Sequence, residues 1–176
     1  FRANRKKMSQ IALVHDNFAQ MGGAEKVAES LYKMLPSPTL YSTLAVQERL
    51  TPTLREAKIN TTWMQWLPRL QQYYRHYFLL YPFAVESMDL SAYDLVVTSC
   101  FGYAKGVRTH PEALHVCYCH TPMRYAWDMR DQYLGQRGLA SGWRGVAVNR
   151  VLDRLRDWDR ASSARVAHFI ANSSFV

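Results

Sequence analysis

Two places in the sequence gather residue types that bind oxygen-rich ligands. The first is Gly22-Gly23, between an apolar run of strand length and an amphipathic segment. Paired glycines let backbone approach a ligand closely. The first turn of a following helix then points amide hydrogens and the positive end of its dipole at an anion such as a phosphate. Neither the dinucleotide fingerprint nor the P-loop pattern surrounds them, so a tight connecting turn without a ligand stands beside the phosphate-binding loop. The second place is His120-Thr121-Pro122-Met123-Arg124-Tyr125, directly after an apolar run that ends at Cys119. In open α/β sheets ligands collect outside the carboxyl ends of strands, where a histidine can hydrogen-bond a substrate hydroxyl. A purely structural histidine is the alternative. His15 and His115 lie inside strand-like runs, His76 in a helical one, and His110 and His168 near element ends, which gives each a weaker case.

The elements that must position these residues alternate. Ile11 to His15 is a continuous apolar run, the pattern of a strand buried on both faces. Ala24 to Leu35 has apolar residues at helical spacing and is stopped by Pro36 and Pro38. Thr39 to Thr43, Leu95 to Ser99, Leu114 to Cys119 and His168 to Ala171 read as further strands. Gly142 to Arg165 reads as a long helix with Val146, Val148, Val151, Leu152, Leu155 and Trp158 inward. Its alternating Asp153, Arg154, Arg156, Asp157, Asp159 and Arg160 then face solvent. Strand–turn–helix–strand order of this kind predicts an α/β domain with a mostly parallel, Rossmann-like sheet flanked by helices.

Between Ile59 and Tyr93 the chain is crowded with aromatics, from Trp63 and Trp66 to Tyr81 and Phe83. Leu70, Tyr74, Tyr77, Tyr81, Ala84 and Met88 can share one helical face, with Pro82 kinking or splitting the helix. This face fits either a packed core or, with its neighbouring arginines, a membrane-interface or lipid-acceptor surface. Aromatic plus basic composition also suits nucleic acid, but no recognition-module pattern accompanies it, and nucleic acid is set aside.

The chain has 176 residues, 48% hydrophobic and 20% charged, enough for one domain with a sizeable core. Its net charge of +8 favours anionic partners, yet Arg2, Arg5, Lys6 and Lys7 precede Met8 and supply half of it. Residues 1–7 read as an added leader and residues 8–176 as the domain proper. Cys100, Cys117 and Cys119 form no disulfide or metal pattern, and Cys117 and Cys119 share one sheet face as free thiols of a reducing compartment. No apolar run reaches the roughly 20 residues of a membrane-spanning helix. The expected location is the cytoplasm, with room for peripheral contact at a membrane. The final run into Asn172-Ser173-Ser174 stops where another helix would begin, which predicts that the natural chain continues.

Taken together, IALVHDNFAQMGGAEKV, YDLVVTSCFGYAKGV, CYCHTPMRYAWDM and RLRDWDRASSARVAHFIANSSFV resemble the N-terminal half of glycosyltransferase family 4. The resemblance runs from Ile11 to Val176. It implies a retaining enzyme of two Rossmann-like domains facing across a cleft, this chain being the acceptor-side half. It implies that Gly22 and Gly23 bring amides to the donor diphosphate, that His120 contacts the transferred sugar, and that Lys105 is a further donor-side residue. Arg124, Tyr125 and Asp128 become acceptor contacts. The substrates implied are a nucleotide-sugar donor and a hydroxyl acceptor, such as a lipid-linked or polysaccharide-precursor sugar. The leaving phosphate assists deprotonation, and no essential metal or other cofactor is expected. The donor domain, with its pair of glutamates, would lie beyond Val176; Glu25 and Glu29 belong to the first helix and are not that pair. A non-catalytic module binding a glycan or lipid-linked sugar is the competing expectation.

Overall fold

The structure, a computed structural model, describes residues 10–124, 126–127, 129–130, 134–135 and 142–174. Six strands form one parallel sheet: β1 (Ile11–His15), β2 (Thr39–Ser42), β3 (Ile59–Thr61), β4 (Leu95–Cys100), β5 (Leu114–Cys119) and β6 (His168–Ala171). Their order across the sheet is β3-β2-β1-β4-β5-β6. The expected α/β, Rossmann-like class is therefore what the chain adopts. Every residue of β1 is buried, as its unbroken apolar run requires of a central parallel strand.

Helix α1 (Gly23–Met34) links β1 to β2, and the short α2 (Pro52–Glu56) precedes β3. Thr51 caps α2, its hydroxyl accepting from the Leu54 amide at 3.3 Å, and Pro52 occupies the first turn, where no amide is needed. Neither α2 nor β3 was expected from periodicity, because five and three residues are too few to display one.

The aromatic segment splits, one of the two outcomes expected of Pro82: it forms α3 (Leu70–Tyr73), a run of turns, and α4 (Tyr81–Glu86), with Pro82 in the first turn of α4. The chain breaks before the proline because that ring fits a helix start better than a helix interior. The inward face was still legible. Leu70, Tyr81, Ala84 and Met88 are buried, and Tyr74 and Tyr77 pack against them. Trp66 and Phe83 stay exposed, at 87% and 69%.

Helix α5 (Gly142–Ser163) returns the chain from β5 to β6. Leu152 and Leu155 are buried as expected, whereas Val146 is exposed. Asp159, expected on the solvated face, is buried at 6%. It sits where α5 crosses the turn after β4 (the short 3-10 turn Ala104–Gly106). At this crossing a Cβ on Gly106 would lie 2.3 Å from Cζ2 of Trp158, so only glycine lets the indole pack there. Cys117 and Cys119 both pack toward the larger of two apolar clusters, on one face as their spacing requires. Among the described residues no helix is long and apolar enough to cross a membrane.

Candidate functional site

The strand order reverses direction between β1 and β4, where β1 leads to β2 on one side and β4 to β5 on the other. In doubly wound sheets the crevice outside the carboxyl ends at such a switch point is where ligands bind. Gly22-Gly23 follows β1 and His120 follows β5, so both sequence-predicted motifs lie on this edge.

Asp16, the first residue after β1, organises the edge. Its carboxylate is fully buried and accepts from the amides of Phe101 (2.5 Å), Gly102 (3.0 Å), Tyr103 (2.6 Å) and Ala104 (2.6 Å). Burial pushes this carboxyl up, while the amide hydrogen bonds and nearby Lys105 pull it down. Its backbone carbonyl accepts from the Thr43 amide and hydroxyl after β2. One residue thus ties the ends of β1, β2 and β4 together. The turn after β4, a ready anion nest, is already occupied by the protein's own carboxylate.

The glycine loop is braced on both sides. Phe18 exchanges backbone hydrogen bonds with Leu44 and Val46, and Arg49 donates to the Ala19 carbonyl at 2.6 Å. Glu25, buried in the first turn of α1, accepts from the Gly22 amide at 2.8 Å. Burial raises its carboxyl, opposed by the amide bonds it accepts. Neither glycine is needed for a left-handed backbone, since the positive-φ glycine among the described residues is Gly142. A Cβ on Gly22 would touch Glu25 Oε2 at 3.0 Å, and one on Gly23 would meet nothing within 4 Å. The space over the start of α1 is open, and the amides of Gly23 and Ala24 have no partner among the described residues.

His120 is half-buried, and its Nε2 lies 2.9 Å from the Ser99 hydroxyl at the end of β4. That hydroxyl lies 3.1 Å from Nδ1 of His15 at the end of β1. Burial lowers the His120 imidazole below its ordinary value. Burial, and then the neighbouring His120, push His15 down to about 3. Both rings are neutral at physiological pH. The ring of Tyr118 rests 5.0 Å from that of His120, while Phe18 and Phe101 flank His15.

The remaining expected residues fall differently. Lys105 is 4% exposed, and its ammonium lies 2.5 Å from Asp159 Oδ1 on α5. Burial alone would lower it; Cys100, Asp159 and Asp16 hold it above its ordinary value. Asp159 Oδ2 accepts from Trp127 Nε1 at 3.1 Å, and the guanidiniums of Arg156 and Arg160 lie over the Trp127 ring. The lysine is therefore engaged within the fold rather than presented at the edge. Arg124 is exposed and donates to Thr121 Oγ1 at 2.9 Å. Tyr125 and Asp128 lie outside the described residues. A cavity of about 540 Å³ with a mixed lining adjoins the segment after β2, bounded by Ala45, Val46 and Leu70 as well as Gln47, Gln65 and Arg69. That segment bridges to Phe18, so the cavity borders the same edge.

His15, Asp16, Ser99, Trp127 and Asp159 were missed by sequence reasoning. The signal for the first three was position, since polar residues that end buried strands must find partners there. Trp127 and Asp159 carried none, because their partner is far away in sequence.

Comparison with protein-family models, with curated proteins and with solved structures gives no match.

Proposed function

We propose that this chain is the acceptor-side half of a retaining glycosyltransferase, transferring a sugar from a nucleotide-sugar donor to a hydroxyl acceptor. The observation that carries the proposal is the composition of the switch-point edge. Open helix-start amides at Gly23 and Ala24 and a neutral, tethered His120 both follow strands of a Rossmann-ordered sheet. The amides suit a donor diphosphate, and His120 suits a sugar oxygen. The cavity beside Gln65 and Arg69 is wide enough for an acceptor saccharide. A second domain would close over this edge and complete the donor site. The chemistry is then mostly positioning and stabilisation of charge on the leaving diphosphate.

The test is a mass-spectrometric transfer assay on the natural protein, including any sequence that follows Val176, with a panel of sugar nucleotides and a lipid-linked acceptor. Transfer that falls more than tenfold in His120→Ala, and in Gly23→Leu, which fills open space without disturbing the core, would support the reading. Leaving a buried sugar oxygen without its donor costs about 1–3 kcal/mol, which spans that loss. No transfer from any donor, with the glycan still bound, would favour a binding module.

A further inference from the structure

His15, Ser99 and His120 come from the carboxyl ends of three adjacent strands and touch in a row. The proton order along this row is set by an atom that has no proton to give. Nδ1 of His15 lies 3.1 Å from the Ser99 carbonyl oxygen, which can only accept. Since His15 is neutral, its single hydrogen belongs on that nitrogen. The Ser99 hydroxyl, also 3.1 Å from Nδ1, shares the same hydrogen as an acceptor. Its own hydrogen is then free for the remaining neighbour, Nε2 of His120 at 2.9 Å. His120 Nε2 must therefore hold a lone pair, which leaves the hydrogen of this neutral ring on Nδ1. Reversing the row would set a lone pair of His15 against the carbonyl oxygen. It would also put an N–H on His15 Nε2, which is buried without a partner. The order inferred from these contacts leaves only a lone pair there, beside the rings of Phe18 and Phe101.

We propose that Ser99, itself oriented by His15, is a positioning residue that fixes His120 in the Nδ1–H tautomer, so that His120 meets its ligand as a hydrogen-bond donor to oxygen and not as a general base. Nδ1 of His120 has no partner among the described residues, and it is not one of the buried unpaired atoms. The group it faces must offer an oxygen lone pair, as a sugar hydroxyl or a phosphate does. Only this last step, the kind of oxygen, rests on the transferase reading; the tautomer does not.

Nitrogen-15 NMR of histidine-labelled chain at neutral pH reads which ring nitrogen is protonated, without any ligand. Wild type is expected to show His120 protonated at Nδ1. In Ser99→Ala the Nε2–H form should appear and the His120 pKa should rise, because the lost bond favoured the neutral ring. Ser99→Thr, which keeps the hydroxyl, should restore both values. An Nε2–H tautomer in wild type would overturn the proposal, and so would a His120 spectrum and titration unmoved by Ser99→Ala. The wild-type spectrum decides alone if the alanine variant does not fold. Failure of the transfer assay would remove the enzymatic reading and leave this result standing.

Discussion

Lys105 offers a sharp choice between two roles, and the fold predicts which one holds. The lysine and Asp159 side chains are 6% and 9% exposed, and they meet at 2.5 Å. Lys105→Met leaves the Asp159 carboxylate buried with Trp127 Nε1 as its remaining side-chain donor among the described residues. Removing one member of a buried pair costs about 3–5 kcal/mol, chiefly because the other charge is stranded. In a chain of this size each kcal/mol lowers the melting temperature by about 2–4 °C, so a fall of roughly 6–20 °C is expected. Asp159→Leu should cost a similar amount. The double variant removes both charges and should recover most of the loss. It still strands the Trp127 N–H, at about 1–3 kcal/mol, and so should fall between wild type and the single variants. Thermal and urea unfolding of the four proteins gives the coupling energy directly. Ligand binding is then measured by calorimetry well below the lowest midpoint. If Lys105→Met melts within about 2 °C of wild type while nucleotide-sugar affinity drops tenfold, the lysine serves the ligand and the structural assignment fails.

Three further outcomes follow from the same geometry. Asp16→Asn turns one carboxylate oxygen into an N–H donor facing amides that are themselves donors. Losing two charge-assisted bonds at about 1.5–3 kcal/mol each should destabilise the chain by about 3 kcal/mol or more in urea unfolding. Gly106→Ala drives a methyl into the Trp158 ring and should cost about 1–3 kcal/mol, with a change in near-ultraviolet dichroism from the displaced indole. His15 and His115 are held down to about 3 and about 4, mainly by burial, whereas the unfolded chain protonates each near 6.5. The unfolded state therefore binds more protons in that window, and these histidines make stability fall as pH drops through it, by about 1 kcal/mol each between pH 7.5 and 5.5. Burial-raised Asp16 and Glu25 act in the opposite sense. The histidine share is therefore read as the flattening of the pH dependence in His115→Leu.

The sequence carried the sheet well because central parallel strands have a signal of their own. Ile11–His15 and Leu114–Cys119 are apolar runs bounded by polar turns, and they form strands over those same residues. What stayed hidden was anything decided by contact across the chain. The mid-chain face packs as its spacing suggests, but whether the helix kinks or splits at Pro82 was not legible, since burial is periodic in either geometry. Asp159 reads as one member of an exposed Arg–Asp pattern, and only the approach of Lys105 from 54 residues away reverses that. His120 was legible through its place after a strand. Its tether was not, because Ser99 looks like any small residue at a strand end, and His15 like part of a buried run.

The partners within the fold also narrow what the edge can bind. Amides 101–104 are taken by Asp16, the Gly22 amide by Glu25, and the Lys105 ammonium by Asp159. The unpartnered Nε2 of His15 is buried away from solvent, whereas the amides of Gly23 and Ala24 and the outer nitrogen of His120 have no partner among the described residues. With His120 protonated on that nitrogen, all three are donors. A crevice of unpaired donors favours a ligand rich in oxygen lone pairs and disfavours one that presents N–H groups or a cation. Buried Glu25 and Asp16 lie close behind the amides, so a dense point anion would feel their repulsion. A diphosphate spreads its charge over several oxygens, and a pyranose presents hydroxyls that accept without charge. Joined in one molecule, those two chemistries fit an edge whose donors lie in two places, one after β1 and one after β5.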